Sequence, residues 1–172
     1  MADLDVLVLM GSASDWKHLQ GAVDVLGQLG LKFEVRVSSA HRTPERTLEL
    51  VRNAEKNGCQ AFICAAGMAA HLAGAVAAHT VRPVLGVPLP GGVLDGVDAL
   101  LSTVQMPSGI PVATFAVGPA GAKNAAFFAA QIIASGRPDV RNALEEARRQ
   151  GAAAVLKGDG EIAESTGGGG GV

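Results

Sequence analysis

Asp5-Val6-Leu7-Val8-Leu9-Met10-Gly11-Ser12-Ala13-Ser14-Asp15 joins a continuous apolar run to a short serine-rich loop. An apolar run without polar alternation predicts a strand buried on both faces, as in parallel sheets covered by helices. The loop ends the strand and opens a helix expected over 16–29, which Gly30 closes.

The same unit recurs along the chain. Residues 33–38 read as a second strand, followed by the loop Ser39-Ala40-His41-Arg42. Thr43 as N-cap, Pro44 at the first helical position and Glu45 in the first turn then start a helix that Asn57-Gly58 stops. Residues 61–66 form the third strand, with Gly67-Met68-Ala69-Ala70-His71-Leu72 as loop and helix entry. A fourth strand spans 83–89, and its terminal Pro-Gly-Gly leads to a helix near 95–104. A fifth strand is expected over 110–117, then an apolar helix over 122–134 and a more charged one over 140–156. Alternating strands and helices predict a parallel α/β sheet with helices on both faces, a three-layer sandwich. About five strands fit a flavodoxin-like order better than a barrel.

Length predicts one domain over 1–160. Residues 161–172, with five consecutive glycines, are expected to be a flexible tail. Hydrophobic residues make up 48% of the chain but aromatics only 3%, so the core must be built from Ala, Val, Leu and Ile. The net charge of −2 and the lack of a basic cluster argue against a nucleic-acid partner. No apolar stretch is long enough for a membrane span, and Met1-Ala2-Asp3-Leu4-Asp5 lacks the basic start of a signal peptide. Cys59 and Cys64 have no zinc or redox spacing and read as reduced core thiols of a cytoplasmic protein.

In a parallel sheet the carboxyl ends of the strands share one edge, where ligands bind. Three loops, spaced by about 28 residues, should therefore meet there although they are distant in sequence. Ser12 and Ser14 suit phosphate oxygens, and the carboxylate of Asp15 suits a ribose diol. Equally, a serine can be an N-cap there and Asp15 a first-turn charge. Arg42 can grip a phosphate with two parallel N–H groups, or pair with Glu45 or Asp15. His41 can carry a proton near neutral pH or simply cap and pack. Gly67 and Ala69 leave room for a ligand, and His71 has either a chemical or a structural task. His71 and His79 are expected to share a helix face, but without a third ligand they make a poor metal site. His18 is expected to be solvated. Glycine spacing and lysine are wrong for a P-loop, and no nucleophile elbow or catalytic thiol is present.

These residues resemble the N5-carboxyaminoimidazole ribonucleotide mutase family, the bacterial mutase class of the phosphoribosylaminoimidazole carboxylase catalytic subunit. The resemblance covers nearly all of 6–133. It rests on Met10-Gly-Ser-Ala-Ser-Asp15, Ser39-Ala-His-Arg-Thr-Pro44, Ala69-Ala-His-Leu72 with Gly74, Pro83-Val-Leu-Gly-Val-Pro88, Val104-Gln-Met-Pro107, Gly109-Ile-Pro-Val112 and Lys123-Asn-Ala-Ala126. It implies a flavodoxin-like fold, a homo-octamer, and a ribonucleotide substrate with a 5′-phosphate and an aminoimidazole base. By the same resemblance Ser12, Ser14, Ser39 and Arg42 would hold the phosphate region, and Asp15 the ribose hydroxyls. His41 would be the proton carrier. Gly67, Ala69 and Leu72 would line the pocket of the migrating carboxylate, with His71 beside it. No metal, ATP, biotin or other cofactor is implied.

Two positions depart from the family's usual Gly-Gly-Ala-Ala-His-Leu-Pro-Gly: Met68 replaces the second glycine and Ala73 the proline. Neither removes a reacting group, so they bear on CO2 retention and leave the reaction class intact. The nearest rival is direct carboxylation of aminoimidazole ribonucleotide by CO2, a class that usually carries Lys in place of Arg42 and lacks Ala-Ala-His-Leu. The other rival is a flavin- or nucleotide-binding module without catalysis.

Overall fold

The strand β1 (Val6–Met10) is buried along its whole length, and its two faces serve different layers. A computed structural model describes residues 4–167, so the first three residues and the last five, including most of the glycine run, lie outside it. Side chains alternate across a strand. Val6, Val8 and Met10 accordingly join one apolar cluster, and Leu7 and Leu9 the other.

The first cluster is closed by α1 (Trp16–Gln28) and α5 (Pro119–Ile133), with the start of α6 (Pro138–Gly167) behind them. The second is closed by α2 (Pro44–Lys56) and α3 (Leu72–Ala77). Between them lies a five-stranded parallel sheet in the order β2-β1-β3-β4-β5, with β2 (Phe33–Val37), β3 (Ala61–Gly67), β4 (Val84–Leu89) and β5 (Ala113–Thr114). The helix α4 (Val97–Val104) lies beside β4. This is the flavodoxin-like three-layer sandwich expected from the alternation.

Small residues set the spacing of the first layer. Five alanines of α5, from Ala122 to Ala130, are fully buried, and the helix can approach α1 closely. Gly121 lets the first turn of α5 pass against the backbone carbonyl of Ala116: a Cβ there would stand 1.6 Å from that oxygen. Asp5, buried at the entry to β1, accepts the Lys32 N–H at 2.9 Å and faces Arg137 of the α5–α6 connection at 3.6 Å.

Three expectations need correction. The fifth strand is only two residues long, not the eight of 110–117. Gly86 and Pro88 turn their carbonyls toward this edge and accept the N–H groups of Phe115 at 2.9 Å and Gly118 at 2.8 Å. Pro88 has no N–H to return on that side, and Pro111 none at the start, so the ladder cannot extend. Next, α6 begins at Pro138 and runs to Gly167, well beyond 156. Residues 161–167, expected to begin a flexible tail, are therefore helical, and Lys157–Glu161 (3.7 Å) is an i,i+4 pair on this stretch. Finally, α3 ends at Ala77, so His79 does not share a helix face with His71. Its Nδ1 instead donates to the Ala75 carbonyl at 2.8 Å.

Candidate active site

Because all five strands are parallel, the loops after β1, β2, β3 and β4 gather on one edge of the sheet. They enclose a cleft of about 560 Å³. The loop after β1 contributes Gly11, Ser12, Ser14 and Asp15; that after β2, Ser39 to Arg42; that after β3, Gly67 and Met68; and that after β4, Pro90 to Gly92. Leu72 closes it from α3. Of the expected residues only Ala69 and His71 do not line the cleft directly.

The loop after β1 forms a single 3₁₀ turn, Ala13–Asp15, with a capping box. Ser12 Oγ accepts from Ser14 N (3.4 Å) and Ser14 Oγ (2.9 Å), and Asp15 Oδ2 accepts the Ser12 N–H (3.0 Å). The structural reading of Ser12 and Asp15 is thus realised, while both still face the cleft. Partial burial raises the Asp15 pKa above the ordinary carboxylate value, and the Ser12 N–H, His18, Ser14 and Lys17 oppose the rise.

The loop after β2 is tied by its own hydroxyls. Ser39 N donates to Thr43 Oγ1 at 3.0 Å, and Arg42 N to Ser39 Oγ at 3.2 Å. Thr43 keeps the N-cap position of α2, but its hydroxyl turns back to Ser39 and does not cap the helix. Arg42 reaches across to the neighbouring loop, where Nη2 lies 3.4 Å from the Gly11 carbonyl. It makes no ion pair with Glu45, Asp15 or any other carboxylate among the described residues. Its charge is presented to the cleft.

The exposed His41 and His71 meet across two loops. His41 Nε2 lies 2.7 Å from His71 Nδ1, with the rings edge to face at 85° and centroids 4.9 Å apart. One nitrogen must donate and the other accept, so the bond couples the tautomers of the two rings. His41 Nδ1 is the nitrogen this leaves for a ligand.

The geometry is a cleft lined by three serines, Asp15 and Arg42 together with apolar residues, and flanked by a histidine pair. Comparison with known proteins adds a family. The model for AIR carboxylase matches residues 5–154. The chain belongs to the AIR carboxylase family. Its similarity to N5-carboxyaminoimidazole ribonucleotide mutases is close: 54% identity to that of Haemophilus influenzae, over 75% of this chain and 79% of that one. To the Escherichia coli K12 mutase it is 47% identical over 88% of this chain and 90% of that one. The crystal structure of Treponema denticola PurE superposes with a TM-score of 0.82 at 28% identity, covering 91% of this chain and 97% of that one.

The AIR carboxylase match spans all four loops of the cleft. The fourth was the one missed as a site in the sequence, where Pro90-Gly91-Gly92 read only as a path into the next helix. Its glycines have positive φ, 131° and 71°, and a glycine-rich turn at a strand's carboxyl end was the available signal. A larger cleft, about 890 Å³, lies at the opposite edge around 77–84 and 109–113. It gathers none of the site residues of the three loops.

Proposed function

We infer that the chain is an N5-carboxyaminoimidazole ribonucleotide mutase of de novo purine biosynthesis, an isomerase that moves a carboxyl group from the exocyclic nitrogen of its substrate to carbon C4 of the imidazole. The observation that carries the site assignment is the His41–His71 contact at 2.7 Å beside a cleft that Ser12, Ser14, Ser39 and Arg42 also line.

In this assignment the 5′-phosphate takes hydrogen bonds from the three serines and charge from Arg42. Asp15 accepts from the ribose hydroxyls with the lone pairs that Ser12 leaves free. The base then lies toward Ala66, Gly67, Leu72 and the loop after β4. The N–C bond of the carbamate breaks to give CO2 and the enriched aminoimidazole, and C4 attacks that CO2 to form the new C–C bond. One proton leaves C4 to restore aromaticity, and one reaches the nitrogen. His41 Nδ1 takes the first while Nε2 passes its own proton to His71 Nδ1, which spreads the positive charge over both rings. Reversal of that transfer lets His41 deliver a proton to nitrogen. General acid–base help of this kind contributes roughly 10²–10⁴ in rate. His71 acts through His41 and is a positioning residue; every step uses side chains of this chain.

The deciding assay offers purified protein each of two substrates. Turnover of N5-carboxyaminoimidazole ribonucleotide, with its loss in His41→Asn at retained nucleotide affinity, is expected. Carboxylation of aminoimidazole ribonucleotide by CO2 with no turnover of the N5-carboxylated nucleotide would assign the direct carboxylase, and neither reaction a binding module. A homo-octamer is part of the proposal. It is supported by exposed apolar residues on α4 (Val97, Leu101, Val104) and on the outer half of α6 (Val155, Leu156, Ile162). A cytoplasmic location is proposed with it; no helix among the described residues is long and apolar enough to cross a membrane.

A further inference from the structure

Met68 is one of two non-glycine residues with positive φ among those described, at 53°. Glycine takes this left-handed conformation freely; a residue with a Cβ takes it at some strain. The turn that imposes it is braced from α4. Ser102 Oγ accepts the Ala70 N–H at 3.3 Å and lies 3.2 Å from the Met68 carbonyl oxygen. The side chain is therefore aimed by a fixed backbone. It lines the cleft and lies over Gly92: its Cγ is 3.2 Å from where a Cβ on that glycine would stand. The two loops fit because Gly92 has no side chain.

Ala66, Gly67, Leu72, Pro90 and Gly91, which line the cleft with Met68, bring no polar side chain, while the Asp98 carboxylate stands beside it, with Oδ2 3.1 Å from the same Cβ position on Gly92. Met68 itself is 60% exposed. An unbranched thioether with three rotatable bonds is suited to fold over a ligand and lose that exposure.

We propose that Met68 closes over the occupied cleft and keeps CO2 from leaving before the carbon–carbon bond forms. This rests on the mutase reading. The transient CO2 is uncharged and offers little for a hydrogen-bond donor to hold, so its retention depends on a barrier. Two fates compete. Retained, CO2 adds to C4, and the released C4 proton is matched by protonation of nitrogen. Lost, the N–C bond still breaks, the amine takes a proton, and the products are aminoimidazole ribonucleotide and free CO2. Met68 sets the ratio between them.

Met68→Gly tests this directly, because φ 53° suits glycine and the fold should survive. The assay measures aminoimidazole ribonucleotide released per carboxylated product formed, after subtraction of uncatalysed decay, and entry of 13C from labelled CO2 into product. Both are expected to rise several-fold in Met68→Gly and to return toward native in Met68→Leu. An unchanged ratio and unchanged 13C entry in Met68→Gly, whatever its total rate, would overturn the proposal, as would equal leakage from Met68→Leu. These outcomes leave the mutase reading standing. If the native protein fails to convert the N5-carboxylated nucleotide, that reading falls first and this one with it.

Discussion

Residue by residue, the site is built from side chains with two uses at once. Ser12, Ser39 and Asp15 hold their own loops in shape and also turn atoms to the cleft. Arg42 differs, since among the described residues its guanidinium hydrogen-bonds to the Gly11 carbonyl at 3.4 Å and pairs with no carboxylate. A side chain with so little structural work should matter little for stability and much for an anion. Arg42→Ala is expected to weaken binding of the nucleotide about 10- to 100-fold, the loss of a charged hydrogen bond of roughly 1.5–3 kcal/mol, while affinity for the nucleoside and the urea midpoint stay near native. Isothermal titration with nucleoside and nucleotide would check this; equal losses for both would remove the phosphate from Arg42. His71 could not be assigned from sequence because its role depends on the approach of a ring 30 positions away.

Helices and strands position these residues through backbone contacts as much as through apolar burial. The start of α5 passes so close to the preceding turn that only glycine fits at 121. A Cβ there would stand 2.6 Å from the Ala116 carbonyl carbon as well as 1.6 Å from its oxygen, and a backbone cannot swing aside. Gly121→Ala is therefore expected to destabilise the protein by about 3 kcal/mol or more, the upper range for overpacking, seen as a lower urea midpoint at unchanged slope. Gly21→Ala on α1 is the matched control. Its Cβ would meet the flexible Lys123 side chain, 2.4 Å from Cε, which can move; a change within about 1 kcal/mol of native is expected. The element boundaries missed from sequence, at β5 and α6, reflect context. One depends on a proline in the neighbouring strand, the other on helix continuation through a stretch that stays exposed among the described residues.

At the scale of the whole molecule, much apolar surface has no partner within one chain. Val155, Leu156 and Ile162 are each about two-thirds exposed or more, on a helix whose buried residues, Val140 and Leu144, lie only near its start. Deletion of 151–172 should leave the core intact but reduce the assembled mass seen by light scattering. The full chain is expected at eight subunit masses. A monomeric full chain would remove the octamer, and an unchanged mass after deletion would remove α6 from its interfaces. Both thiols are buried, which pushes Cys59 up to about 11 and Cys64 higher still, in keeping with their reading as core residues.

The sequence alone determined the alternation of strands and helices, the parallel sheet, and the edge on which three loops converge. Those properties follow from local periodicity and from the fixed direction of parallel strands. Tertiary structure decided the rest: the His41–His71 contact, the fourth loop of the cleft, the left-handed turn that aims Met68 at Gly92, and the truncated β5. Each depends on atoms brought within a few ångströms by packing between distant segments, and no local pattern in the chain encodes such a distance.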